Sequence, residues 1–416
     1  MATQRERYWQ SARNRLGLFR AWAKKPWVNG SSRARLEGLL LYDLAALSDL
    51  DLTGNMEPPG DRTGAFIYWL TRRFGEADKD CLPDVVDALA NGDDGARGAA
   101  DALTVFPPHD DSGIHGREAW DNADARQAFL TAAMGRPSAV SDALLNTALG
   151  LDAGSRAAAM GVAARNPHRQ SAYFRPWFQA APSEVDSATR CQALFAGLMR
   201  DDPEAEEALA RTLTAAADDD EVHRALVLIA LRGTPSQGDT LVGYAQRHPR
   251  AGAELIGIHG RPELVEPLHA LMDRPESAEA AATAWWRLTG REVPRQRRLA
   301  STDGANESGR GSLPDSEWAQ GWWQSHRREL EGAERLLLGR PLGPGPLATA
   351  CREWAGQGSD ALVWQAQLAA GPGTPLHADQ WLRQRLQRLE AAGLRDAVVV
   401  PPEVETADPW EYGHYA

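Results

Sequence analysis

A repeated break between short helical patterns constrains this chain more than any other feature of its sequence. Gly233-Thr234-Pro235 ends an apolar helical run over 221–232, and Gly260-Arg261-Pro262 recurs 27 residues later, before the helical pattern of 263–272. Gly adopts the left-handed conformation that ends a helix, whereas Pro cannot continue a helix but suits the first turn of the next one. This spacing predicts stacked helix pairs with a repeat near 30 residues.

The same punctuation extends toward the N-terminus. Gly135-Arg136-Pro137 precedes helical patterns over 138–149 and 155–165, and another pair over 81–90 and 94–106 breaks at an Asn-Gly step. Ala, Leu, Arg and Glu dominate the chain, and these residues lose little side-chain freedom in a helix. We predict an all-α fold, a HEAT-like α-solenoid with a helical C-terminal segment. An irregular helical domain is the alternative.

The helical pattern also predicts how the chain is divided. Residues 301–309 lack the apolar side chains that a core needs, which predicts a flexible connection. Helical patterns return over 316–330, 362–370 and 380–389. The predicted parts are an N-terminal helical region that could hold degenerate repeats (1–120), a HEAT-like repeat array (121–290), a flexible linker (291–316), a C-terminal helical segment (317–396) and a tail (397–416).

Composition narrows the class of protein. An apolar share of 43% and a charged share of 25% are typical of folded globular chains, while a formal net charge of −12 argues against binding a phosphate backbone as the main task. Cys81, Cys191 and Cys351 are too few and too far apart for a disulfide framework or a cysteine zinc site. No apolar run approaches the roughly 20 residues of a membrane span. We expect a reduced, cytoplasmic protein.

Two polar clusters could carry chemistry. His109, Asp111 and His115 combine metal ligands at short spacing, although acidic and small residues are also ordinary turn formers. Asp218-Asp219-Asp220-Glu221 before His223 could act as paired carboxylates, but negative charge at a helix N-terminus is the simpler explanation. The sequence holds no phosphate-binding loop, nucleotide fingerprint or nucleophile elbow. We predict a non-enzymatic protein without cofactor or metal, and the His109 loop stays open as a metal site.

The fifteen tryptophans and several arginines provide the candidate binding residues. Consecutive residues on a helix point about 100° apart, so one member of an adjacent Trp pair can enter the core while the other faces a groove. Exposed Trp and Arg are enriched at binding hot spots. The predicted partner-binding residues are Trp285, Trp286, Trp322, Trp323, Arg327 and Arg340. Core packing of the tryptophans is the alternative.

Basic residues close to tryptophans also make nucleic-acid binding a candidate function. Arginines cluster over 291–298 and again over 327–340, close to the two Trp pairs. Arg pairs with phosphate and aromatic rings stack on bases. The acidic net charge and the lack of one continuous basic face weigh against this reading, so a protein partner is predicted.

Three motifs together resemble a known bacterial family. Gly260-Arg261-Pro262-Glu263, Trp322-Trp323 with His326-Arg327, and Leu338-Gly339-Arg340-Pro341-Leu342 resemble HEAT-like repeat proteins associated with type VI secretion gene clusters, over about 233–389. The activity of that family is undefined, so the resemblance implies a pathway and transfers no catalytic residue.

On this basis we predict an adaptor or chaperone that binds a type VI effector or spike component through the concave face of the solenoid. The alternatives are an immunity protein that blocks a cognate toxin, and a HEAT-like enzyme or nucleic-acid-binding protein.

Overall fold

The computed structural model describes residues 3–23, 25, 28–50, 57–75, 82–105, 118–181, 183–215, 219–297, 312–356, 358–377 and 380–394. In this part of the chain the fold is all-α, as predicted, with twenty α-helices and two short two-stranded sheets. The loop of His109, Asp111 and His115 and the tail over 397–416 lie outside the described residues.

The helices in chain order are α1 (Gln4–Ala23), α2 (Gly30–Asp49), α3 (Arg62–Gly75), α4 (Leu82–Leu89), α5 (Asp94–Val105), α6 (Ala123–Ala133), α7 (Asp142–Leu149), α8 (Ala153–Arg165), α9 (Arg175–Gln179), α10 (Ser187–Leu198), α11 (Pro203–Ala215), α12 (Asp219–Arg232), α13 (Gly238–Arg247), α14 (Pro249–His259), α15 (Val265–Met272), α16 (Ala278–Thr289), α17 (Ser316–Leu330), α18 (Pro344–Glu353), α19 (Ser359–Ala370) and α20 (Leu382–Ala391). The strands are β1 (Arg295–Arg297), β2 (Ser312–Pro314), β3 (Leu336–Leu337) and β4 (Arg340–Pro341).

The helices pack in the order in which the chain presents them. Helices α6, α8, α10, α12, α14 and α16 contact one another in succession, and we call them the inner helices. The outer helices α7, α9, α11, α13 and α15 pack beside them. Residues 158–165 of α8 and 193–198 of α10 are buried without interruption, as expected for helices covered on more than one side.

Three inner helices begin with the same arrangement. The side chain of the residue before each helix accepts a hydrogen bond from the backbone N–H three residues on, and an arginine stands four residues after that cap. The cap and arginine pairs are Asn122 and Arg126 at α6, Asp152 and Arg156 at α8, and Asp186 and Arg190 at α10.

These arginines connect each inner helix to the next. Arg126 donates to the Asp152 carboxylate at 2.6 Å, and Arg156 donates to Asp186 at 3.4 Å. Arg190 continues the series to Glu221 in the first turn of α12. Asp152 and Asp186 therefore each cap their own helix and also bind the arginine of the inner helix before it. These contacts connect successive inner helices. We call this series of contacts the arginine ladder.

The ends of the predicted linker are structured. Strands β1 and β2 pair antiparallel, with Gln296 opposite Leu313. Residues 298–311 between them lie outside the described residues.

Beyond α17 the chain returns to the helices that precede it; we call residues 335–394 the closing segment. Its first part runs along the C-terminal ends of α14 and α16. The Leu336 N–H donates to the Gly260 carbonyl at 2.6 Å, and the Leu338 N–H donates to the Arg287 carbonyl at 2.7 Å. Gly233, Gly260 and Gly290 all have positive φ, near 70–80°. The predicted breaks at Gly233 and Gly260 are therefore left-handed helix ends, as is Gly290, whereas Gly135 does not have positive φ. Gly260 and Gly290 lie where this strand packs.

Arg335 fixes the closing segment to two inner helices at once. Its guanidinium donates to five backbone carbonyls, at 2.8–3.1 Å. These belong to Ala230, Leu231 and Arg232 at the end of α12 and to Ile258 and His259 at the end of α14. Carbonyls in the last turn of a helix lack partners within the helix and carry its negative dipole end, so a cation there is stabilised. Burial lowers the pKa of Arg335 to about 10.

Candidate functional site

The closing segment packs against the inner helices α8, α10 and α14. Trp364 of α19 packs against Phe195 of α10 with ring centroids 4.9 Å apart, and Gln365 donates to the Ile258 carbonyl at 2.8 Å. Arg165 of α8 donates to the Gly161 carbonyl at 2.9 Å and reaches the Leu376 carbonyl at 3.5 Å. These contacts show that parts of α8, α10 and α14 are covered by the chain itself. The concave face of a solenoid as the grip for a partner stays a prediction.

The predicted tryptophans fall on two different sides of α16. Trp285 is fully buried and Trp323 is 3% exposed, so both are core residues. Trp322 is half-buried; its ring packs edge-on against Trp285 at 5.6 Å and stacks on His326 at 4.2 Å. Trp286 turns the other way and packs edge-on against Trp354 of the closing segment at 4.8 Å. The four rings therefore do not form one patch.

The predicted arginines are both exposed, and one is already paired. Arg327 forms an ion pair with Glu331 one turn later and another with Glu266 of α15 at 3.3 Å. Arg340 lies in β4, away from that pair. In the same region Arg295 binds the Glu279 carboxylate through both guanidinium ends at 2.7 and 2.8 Å. Several cations of the predicted basic patches thus meet carboxylates of the chain itself.

A groove of about 420 Å³ remains between α14, α16 and the closing segment. Ile258, Ala280, Ala284 and Ala361 give it apolar walls, and Trp354, which is 2% exposed, lies at its base. The size falls in the range of ligand pockets in proteins, and the apolar lining suits a bulky side chain. We call this space the Trp354 groove.

Arg287 places a buried cation in the Trp354 groove. The residue is 3% exposed, and its guanidinium lies 5.4 Å from the centre of the Trp354 ring. It donates to the side-chain oxygen of Gln365 at 2.5 Å and reaches the Gly358 carbonyl at 3.4 Å. Both acceptors are neutral, and no carboxylate of the described residues forms an ion pair with it. Burial, with a smaller contribution from the neighbouring cation Arg335, lowers the pKa of Arg287 to about 9.

Charged residues surround the mouth of the Trp354 groove. Glu254 lies 3.7 Å from Arg250, and Glu279 binds Arg295. Glu276 completes the acidic side of the lining. An apolar, desolvated centre with a charged rim is the usual anatomy of a protein-binding site.

A second cavity, of about 550 Å³, lies where the closing segment meets the N-terminal helices. Arg20 and Arg62 both bind the Asp101 carboxylate, at 2.9 and 2.8 Å. Arg33 pairs with Glu37 at 3.1 Å. The cations of this cavity therefore bind carboxylates of the chain, whereas the described acceptors of Arg287 are neutral.

The acidic cluster before His223 was a candidate for chemistry, and its first residue, Asp218, lies outside the described residues. Glu221 belongs to the arginine ladder, and His223 lies 3.3 Å from the Tyr244 hydroxyl. Cys191 and Cys351 are unpaired thiols whose pKa burial raises to about 11. Among the described residues no group of three or more His, Cys, Asp or Glu side chains is placed to hold a metal ion, and no helix there has the length and apolarity to cross a membrane.

Sequence reasoning missed the residues that build the groove and the ladder. The ladder has a sequence signal: an Asn or Asp followed four positions later by Arg begins at 122, 152 and 186, with intervals of 30 and 34 residues. Trp354 and Arg287 have no such signal, because their proximity depends on the return of the closing segment.

No protein-family model, curated protein or solved structure matches this chain.

Proposed function

We propose that this chain is a non-enzymatic, protein-binding scaffold that holds a segment of a partner in the Trp354 groove. The observation that carries this proposal is the composition of that groove: an apolar pocket with an aromatic base, a buried arginine and a charged rim. Trp and Arg in desolvated pockets dominate the energy of protein–protein binding.

We further propose that the scaffold is a HEAT-like α-solenoid whose ends are joined by the closing segment. The arginine ladder supports this view, because the same cap and the same arginine recur at three successive inner helices. Repeat proteins of this kind contact mainly their sequence neighbours, and they commonly serve as binding platforms.

The motif resemblance guides the choice of partner. We propose an adaptor or chaperone in the bacterial cytoplasm whose partner is a type VI effector or spike component. This assignment rests on the three motifs around Gly260, Trp322 and Leu338, and on nothing in the groove itself.

A photo-crosslinking experiment tests the proposal in the source organism. Thr283, which is half-buried in the groove wall, is replaced by a photoreactive phenylalanine analogue, and crosslinked products are identified by mass spectrometry. The matched control carries the same analogue at Gln324, which is exposed on α17 outside the groove. We expect one defined protein to crosslink at 283 and not at 324, and to be lost when Ala280→Trp fills the groove. Crosslinking to nucleic acid, or equal products at both positions, would contradict a protein-binding groove.

A further inference from the structure

We infer that the partner segment is an acidic peptide whose bulky apolar side chain enters the Trp354 groove while an adjacent carboxylate binds the Arg287 guanidinium. This inference rests on the proposed function, because it specifies the partner of the same groove.

The Arg287 guanidinium has no carboxylate partner among the described residues. A buried cation is expensive unless it is paired and hydrogen-bonded. Arg287 is 3% exposed, and its described acceptors are the Gln365 amide oxygen and the Gly358 carbonyl, both neutral. A partner carboxylate would supply the missing charge, and two parallel hydrogen bonds to a guanidinium make that pair selective for planar acids.

The walls of the Trp354 groove are apolar. Ile258, Ala280 and Ala284 line the groove with small or aliphatic groups, and Trp354 closes its base. This shape leaves room for a side chain such as Leu, Phe or Trp, whose burial stabilises binding by excluding water from its surface. Because Arg287 and Trp354 lie together at 5.4 Å, the anchor and the acid must be close in the partner.

The rim does not oppose an acidic ligand. Two of its carboxylates are already met by cations, since Glu279 binds Arg295 at 2.7 Å and Glu254 lies 3.7 Å from Arg250. Glu276 is the remaining acid of the lining, and a basic residue of the partner would complement it. The carboxylate that binds Arg287 is therefore expected next to the anchor and inside the rim.

Peptide display on the intact chain tests the inference. A library of random dodecapeptides is selected against the immobilised wild-type chain, Arg287→Gln, Arg287→Lys and Ala280→Trp. We expect wild-type selections to enrich Asp or Glu beside a large apolar residue. Arg287→Gln should keep the apolar preference and lose the acidic one, Arg287→Lys should retain part of the acidic preference, and Ala280→Trp should lose both.

Synthetic peptides then measure the pair. Changing the enriched Glu to Gln should weaken binding to the wild-type chain roughly tenfold to a hundredfold, as for buried charge pairs, and to Arg287→Gln less than about threefold. Free-acid and amidated forms separate a side-chain acid from a C-terminal carboxylate.

The outcomes separate the two proposals. Enrichment of apolar residues without acids would overturn the inference and leave the protein-binding function standing. No enrichment at all would overturn both. Enriched peptides that match Trp410-Glu411-Tyr412 of this chain would assign the groove to the chain itself and overturn an external partner.

Discussion

Both carboxylate oxygens of Glu37 accept the backbone N–H of Leu382, at 2.9 and 3.0 Å, although the two residues are 345 positions apart. Leu382 is the first residue of α20, so Glu37 of α2 caps a helix of the closing segment. The same carboxylate binds Arg33, which donates to the Ala355 carbonyl at 3.0 Å. The N-terminal helices and the closing segment thus share one buried polar cluster. In this cluster the Glu37 side chain binds both Arg33 of α2 and the backbone of Leu382 in α20.

Removing Glu37 should release the closing segment. In Glu37→Ala the buried Arg33 cation loses its carboxylate and keeps the Ala355 carbonyl, and α20 loses its cap, so we expect a loss of about 3 kcal/mol in the free energy of unfolding. Urea denaturation measures the loss, and hydrogen exchange should show faster exchange in α18 and α20 than in α8 and α10. The control is Glu207→Ala, because the Glu207 side chain is 74% exposed and its pair with Arg211 contributes little. Equal effects of the two variants would contradict this role of Glu37.

The arginine ladder should show a gradient set by burial. Arg190 and Glu221 are 4% and 7% exposed, so Arg190→Met removes the Arg190 cation from a buried ion pair and should cost about 3–5 kcal/mol. Arg156→Met, at a pair that is 25% exposed on both sides, should cost about 1 kcal/mol. The exposed Arg211→Met should stay within about 0.5 kcal/mol.

A double variant separates charge from packing in the ladder. Arg190→Met combined with Glu221→Met removes both buried charges of the pair and should recover most of the stability lost in the single variant. Chemical denaturation of the four chains gives the coupling energy. If the double variant loses as much as the sum of its single changes, Arg190 acts through packing and not through Glu221.

Two glycines should respond in opposite directions to the same substitution. Gly260 has φ +80°, and a Cβ there would lie 3.0 Å from the Leu336 carbonyl oxygen, so Gly260→Ala should cost about 2 kcal/mol. Gly243 is exposed inside α13, and a Cβ added there would have no neighbouring atom within 4 Å. Gly243→Ala should therefore raise the free energy of unfolding by about 0.5–1 kcal/mol. Thermal denaturation of both variants checks the signs. A neutral Gly260→Ala would mean that the strand at Leu336 does not depend on the left-handed helix end.

Local signals in the sequence predicted several of the helices but not their assembly. The Gly-x-Pro breaks predicted where α12 and α14 end, and the apolar periodicity predicted α17 over 316–330 as observed. Helix propensity and caps are properties of adjacent residues, so a single sequence reports them. The resembling motif at Leu338 has a physical explanation only in the structure, where its backbone binds the end of α16.

The candidate site was less accessible to prediction. Trp285 and Trp286 are neighbours of the same residue type, yet one enters the core and the other meets Trp354. The hydrogen bonds that position the closing segment use mostly backbone carbonyls, which every residue has. No residue pattern in the sequence therefore predicts that Arg287 lines the Trp354 groove.

Acid should destabilise the fold through His259. This side chain is fully buried, and its Nε2 lies 3.2 Å from the Thr234 carbonyl oxygen, where the neutral ring donates. Burial, with smaller effects from Arg335 and Arg261, lowers the pKa of His259 to about 4. The unfolded chain binds this proton near pH 6.5 and the folded chain only near pH 4, so the unfolded state takes up more protons between these values. Stability is complete above pH 6.5 and falls as the pH drops, by about 2 kcal/mol at pH 5.

Replacing the histidine should flatten that dependence. His259→Gln can still donate to Thr234 but binds no proton, so its unfolding free energy should change less between pH 7 and pH 5 than that of the wild-type chain. Burial also lowers the pKa of His269 and of His377, the latter to about 3, so part of the slope should remain. The control is the same substitution at an exposed histidine, His168→Gln. Urea denaturation at pH 5, 6 and 7 measures the slopes; an unchanged slope in His259→Gln would show that acid acts elsewhere.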